Sequence, residues 1–146
     1  MNIPFLDKWR RRQPADPGEG LAAAFEEDPE SVTELLSECE LLRSEAERAG
    51  LELDDTPASL EALDQLPPTW RDDAELLPWI GNDAGLYLGT VLVRAVRGAA
   101  WHVWPGGHPV VRLPSGREIH VVEAGLDWAV NGAPQLSQVY GEAAEG

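Results

Sequence analysis

The stretch NDAGLYLGTVLVRAVRG, residues 82–98, constrains this chain more than any other segment. Read as a helix, it puts Leu86, Tyr87, Leu88, Val91, Leu92, Val93 and Val96 on nearly every side, leaving no face for water. Such a helix has to be wrapped by the rest of its own domain. It is too short to cross a bilayer, which needs about 20 apolar residues. Asn82 or Asp83 is the expected N-cap and Gly98 the expected stop. Gly85 and Gly89 lie one turn apart and predict a shallow groove where a neighbouring element packs closely. The remaining segments must supply the coat.

Helical spacing supplies part of it. In DPESVTELLSECELLRSEAERAG, Asp28 is placed to cap a helix and Pro29 sits at its first position, where a missing N–H costs nothing. Val32, Leu35, Leu36, Cys39, Leu42 and Ala46 form one apolar stripe, and Gly50 is the stop, so one continuous helix is expected. Cys39 reads as a small core residue, because no cation stands nearby in sequence to activate its thiol. A second helix follows Asp55 or Thr56, with Pro57 in its first turn, Leu60, Leu63 and Leu66 inward, and Pro67–Pro68 as its end. TWRDDAELLPWIG lacks a clean period and reads as an ordered loop with at most one helical turn. Two more helices close the chain: VEAGLDWAVNG, with Leu126, Ala129 and Val130 inward, and PQLSQVYGEAAEG from Pro134, with Leu136, Val139, Tyr140 and Ala143 on one stripe.

Between the central and closing helices, AAWHVW, HPVVRL and REIHVV alternate like strands, and PGG and PS separate them with turn chemistry. They predict a three-stranded antiparallel meander. One register puts Trp101, Val103, Val111, Leu113, Ile119 and Val121 on the core face and sets Arg112 opposite Glu118 as a cross-strand ion pair. His102, Trp104, His108, Val110, His120 and Val122 then share the other face. That face holds every histidine of the chain and is the candidate binding patch: His102, Trp104, His108, Arg112, Glu118 and His120.

The same register argues against a metal. His102 and His120 flank Val110 across two strand spacings, roughly 10 Å, which is too far to share a zinc. His108 and His120 are diagonal neighbours, but no third ligand is evident beyond Glu118 or Glu123. GEGLAA matches a dinucleotide pattern without the strand that pattern needs in front of it. No nucleophile elbow, paired-cysteine motif, P-loop or metalloprotease helix is present. The expectation is a protein without a cofactor, and more a binder than an enzyme.

Charge narrows the partner. The net charge is −15, distributed as +3 over residues 1–15 and −14 over residues 16–64. Such a body repels nucleic acid and suits a protein partner with a basic surface. The opening MNIPFLDKWRRR has no secretory h-region. As a helix it would pair Phe5, Leu6 and Trp9 with Lys8, Arg10, Arg11 and Arg12, a pattern suited to weak, salt-sensitive contact with an anionic membrane. QPADPGEG, residues 13–20, reads as a flexible linker, giving an arm and linker over 1–20 and a single domain over 21–146. A single cysteine excludes an internal disulfide and fits the cytoplasm.

Several stretches together, among them LDDTPASLEALDQLPP, WIGNDAGLYLGTVLVR, AAWHVWPGGHPVVRLPSGREIHVVEAGLDWA and PQLSQVY, resemble a family of small acidic actinobacterial proteins of unknown function. The resemblance covers most of residues 28–142 and extends to the opening MNIPFLDKW. It implies a stable domain and carries no activity or site residue onto these positions. The expected architecture is α+β: N-terminal helices, one buried central helix, a three-stranded meander and two C-terminal helices. The expected function is a non-catalytic intracellular binding or adaptor protein. Its alternatives are a small enzyme built on the histidine face and a peripheral membrane protein held by the arm.

Overall fold

A computed structural model describes residues 17–145. Helices α1 (Pro17–Glu27), α2 (Pro29–Leu36), α3 (Glu40–Arg48) and α4 (Pro57–Asp64) come first. A 3-10 turn over Thr69–Asp72 leads into the long helix α5, Leu76–Ala95. Strands β1 (Ala100–Val103), β2 (Pro109–Arg112) and β3 (Glu118–Ile119) form one antiparallel sheet in that order. Helices α6 (Val121–Asn131) and α7 (Leu136–Glu145) follow. The fold is α+β, as expected. Among the described residues no helix is long and apolar enough to cross a membrane. The arm residues Phe5, Leu6, Lys8, Trp9, Arg10, Arg11 and Arg12 lie outside the described residues. Helix α1 begins at Pro17, so its first turn takes up the end of the segment read as a linker.

Helix α5 is wrapped as its composition demands. From Ile80 to Leu92 every residue except Asn82 is buried. The glycine groove is real and deep. A Cβ at Gly85 would stand 2.3 Å from the carbonyl oxygen of Val121, and one on Gly125 of α6 would stand 2.2 Å from the Gly85 nitrogen. The two backbones therefore touch. A Cβ at Gly89 would meet the Trp101 ring at 2.2 Å, so the same stripe seats the core face of the sheet. Trp101, Val103, Val111, Leu113 and Ile119 are all buried there.

The structure departs from the sequence reading where a long-range contact outweighs local pattern. The helix expected from Pro29 to Gly50 is broken into α2 and α3, with Cys39 in the left-handed region at φ 43°. Asp28 does cap α2, accepting from the Ser31 amide at 3.3 Å. At the break, Arg43 donates to the carbonyls of Ser37, Glu38 and Leu53 and pairs with Asp55 at 2.8 Å. Its guanidinium also lies over the Tyr87 ring, 5.3 Å from the centroid. Cys39 has no side-chain cap to offer, and Asp83 of α5 does that work instead. Its Oδ2 accepts from the amides of Leu41 and Leu42 at 3.1 Å each. Asp83 is thus not the cap of α5. That helix starts at Leu76, where the Asp73 carboxylate takes the amides of Glu75 and Leu76, both at 3.0 Å.

Three smaller corrections concern the C-terminal half. Strand β3 stops at Ile119, so His120 precedes α6 as its N-cap residue and Val121 reaches the core from a helix. Val130 is exposed rather than inward, while Trp128 is buried and stacks on Trp70 with centroids 5.2 Å apart. Helix α7 begins at Leu136, not Pro134, because Asp64 at the end of α4 accepts from the amides of Leu136 and Ser137.

Candidate binding face of the sheet

Two loops of the same design set up the face. Pro105-Gly106-Gly107 joins β1 to β2, and Pro114-Ser115-Gly116 joins β2 to β3. Gly107 at φ 86° and Gly116 at φ 93° take the left-handed conformation that closes a three-residue hairpin loop. In the first loop the Trp104 amide donates to the His108 carbonyl at 3.0 Å. Trp104 and His108 therefore stand side by side at the two ends of one tight turn. The strand register then pairs Arg112 with Glu118 and ends β3 next to His120.

The result is a compact cluster. His108 Nε2 and His120 Nδ1 lie 3.3 Å apart, with the rings stacked at 5.5 Å between centroids and 25° between planes. The Trp104 indole stands edge-on to both imidazoles, 5.6 Å from His108 and 5.3 Å from His120. Its Nε1 donates to Glu118 Oε1 at 3.2 Å. The other oxygen, Oε2, accepts from Arg112 Nη2 at 2.9 Å, completing the expected cross-strand ion pair. Arg112 beside Glu118 holds the carboxyl below the usual carboxylate range, and the Trp104 bond adds to the effect. Trp104 remains 38% exposed, while both rings of the histidine pair are half-buried.

His102 belongs elsewhere on the same face. It is opposite Val110 in the register and carries the edge of Phe25 from α1, centroids 6.4 Å apart. Val110 is fully buried. One end of the face is thus covered by α1, and the end bearing Trp104 is open. Of the six residues expected to form the patch, the structure brings together Trp104, His108, Arg112, Glu118 and His120, and separates His102.

Two other features have chemical content. Tyr87 donates to Ser59 Oγ at 2.6 Å and accepts from the Asp55 amide at 2.8 Å, joining the Arg43–Asp55 pair in a polar network beneath the 50–56 loop. Sequence reading missed this network, whose members come from four separate segments. Positive φ at Asp55, a residue type that tolerates it, is its main local trace. Cys39 is buried and unpaired, and burial pushes its thiol well up, so it is an inert core residue. A cleft of about 330 Å³ lies between Glu45, Arg48, Leu66 and Thr69, sharing no residue with the sheet face. Among the described residues no group of three or more His, Cys, Asp or Glu converges as a metal cage.

The sequence profile of a family of unknown function (DUF6278) matches residues 1–146, and the chain belongs to that family. Neither the curated proteins nor the solved structures yield a match.

Proposed function

We propose that this chain is a non-catalytic intracellular binding protein that docks a protein partner on the open end of its sheet, with Trp104 as the anchor. The observation that carries this reading is the state of Trp104. It is a large, partly exposed aromatic whose indole is fixed from three sides by Glu118, His108 and His120. A preorganised aromatic loses little freedom on binding, and tryptophan and arginine are the residues on which interface energy concentrates. Arg112 lies at the rim of the same cluster, half-exposed. The net charge of −15 favours a partner whose surface is basic.

The test is site-specific photo-crosslinking in the native host. A photo-reactive residue at Gly106, where a Cβ meets nothing within 4 Å and Trp104 stays in place, is expected to give a discrete protein adduct that the same residue at Val130, the other exposed large hydrophobic, does not give. Identical patterns at the two positions, no adduct at Gly106, or an adduct at Gly106 that survives Trp104→Ala, would overturn the reading.

A further inference from the structure

We propose that the His108–His120 pair is a two-histidine site for a divalent transition cation, zinc in the first instance, at the foot of Trp104. Imidazole nitrogens bind zinc at about 2.0–2.1 Å. Two nitrogens at that distance from one ion and 3.3 Å from each other subtend an angle of about 107° at the ion, close to the tetrahedral value. The spacing of His108 Nε2 and His120 Nδ1 is therefore the spacing of two zinc ligands, and a small rotation of each ring turns its lone pair from the other nitrogen toward a common ion. Without a metal the same two nitrogens share one proton, one ring donating and the other accepting. Zinc takes the place of that proton, which passes by way of solvent to the other nitrogen of the ring that donated it, so both rings stay neutral. His108 then carries its N–H on Nδ1 and His120 carries its own on Nε2. The remaining positions on the ion are open to water or to a donor group of whatever docks beside it.

The surroundings favour this. Trp104 stands against both rings and restrains their rotation. His108 is held by the hairpin turn and His120 by the start of α6, so both ligands rise from fixed backbone. Glu118 lies on the same cluster, bound to Trp104 and balanced by Arg112, so the ion pair adds no net charge beside the cation. Zinc, copper and nickel are the ions imidazole suits, whereas magnesium and calcium prefer oxygen. The sequence argument against a metal rested on the His102–His120 separation and the want of a third protein ligand. The first does not apply to this pair, and a site with open positions does not require the second.

The proposal does not depend on the partner reading, and its test uses the full chain alone. After stripping with a chelator, zinc chloride is titrated by calorimetry with magnesium in excess, so that surface carboxylates are already occupied. Nitrogen-detected spectra of the imidazoles are followed in parallel. One zinc per chain is expected, with the resonances of His108 Nε2 and His120 Nδ1 shifting together. His108→Ala and, separately, His120→Gln should each weaken binding by at least the about 10–100-fold that loss of an outer partner of a ligand alone costs. His102→Ala should leave it unchanged. Circular dichroism of each variant guards against a folding artefact, His108 lying at a loop end and His120 at the start of α6. A pair that shares only a proton would show no saturable zinc binding and unmoved resonances, and the proposal would fall. It would fall equally if His102→Ala abolished binding, or if zinc bound undiminished to the double variant of His108 and His120.

Discussion

Replacing Asp83 with Asn should change how the stability of this protein depends on pH. Asp83 sits on the buried helix α5 at 4% exposure, and burial pushes its carboxyl up from 3.8 to about 6. The amide bonds from Leu42 and Leu41 pull the other way without overcoming burial. Between 3.8 and about 6 the folded chain keeps a proton that the unfolded chain has lost. Stability therefore falls as pH rises through that window. At 1.36 kcal/mol per pH unit the full difference is about 3 kcal/mol, of which about 2–3 kcal/mol is spanned between pH 4 and 7.5. Asn cannot titrate. Both helix amides bond the same oxygen, Oδ2, so a single amide oxygen in its place serves both. Urea denaturation of wild type and Asp83→Asn across that range isolates the effect, because every other group cancels in the difference. The variant should gain about 2–3 kcal/mol on wild type as pH rises from 4 to 7.5. Asp83→Leu, which leaves both amides without an acceptor, should lose about 1–2 kcal/mol as an uncapped helix does. A difference between wild type and Asp83→Asn that stays flat with pH would refute the reasoning, since the buried carboxylate would then carry no penalty.

Two further outcomes follow from packing. Gly85→Ala forces a Cβ into the Val121 carbonyl and should destabilise by about 2–3 kcal/mol, whereas Gly141→Ala, with nothing within 4 Å and an ordinary helical backbone, should stabilise by about 0.4–1 kcal/mol in the same denaturation assay. Trp101→Ala should cost about 3–5 kcal/mol and Trp104→Ala much less, because the first is 6% exposed against Gly89 and the second 38% exposed; equal losses would mean that the open end of the face is not open.

How much of this was legible depends on which residues decide each feature. The buried helix, the glycine groove, the strand register and the Arg112–Glu118 pair follow from periodicity and turn chemistry within short stretches, and the structure has all of them. What local pattern missed is set by partners distant in sequence. Ser37–Cys39 reads as the middle of a helix until Arg43 reaches the Leu53 carbonyl and Asp55, and Asp83 reaches Leu41 and Leu42 from more than forty positions away. A carboxylate next to a glycine-rich helix start looks like that helix's own cap, and nothing nearby shows that its acceptor is taken by another helix. The candidate site divides the same way. The register placed His102, Trp104, His108 and His120 on one face, since alternation is a local property. By ending at Ile119 the strand turns His120 into the first residue of a helix turn, and its ring swings onto His108 while His102 stays under Phe25. The strand register already made His108 and His120 diagonal neighbours; the start of α6 at His120 and the Phe25 edge on His102 leave those two rings paired and the third apart.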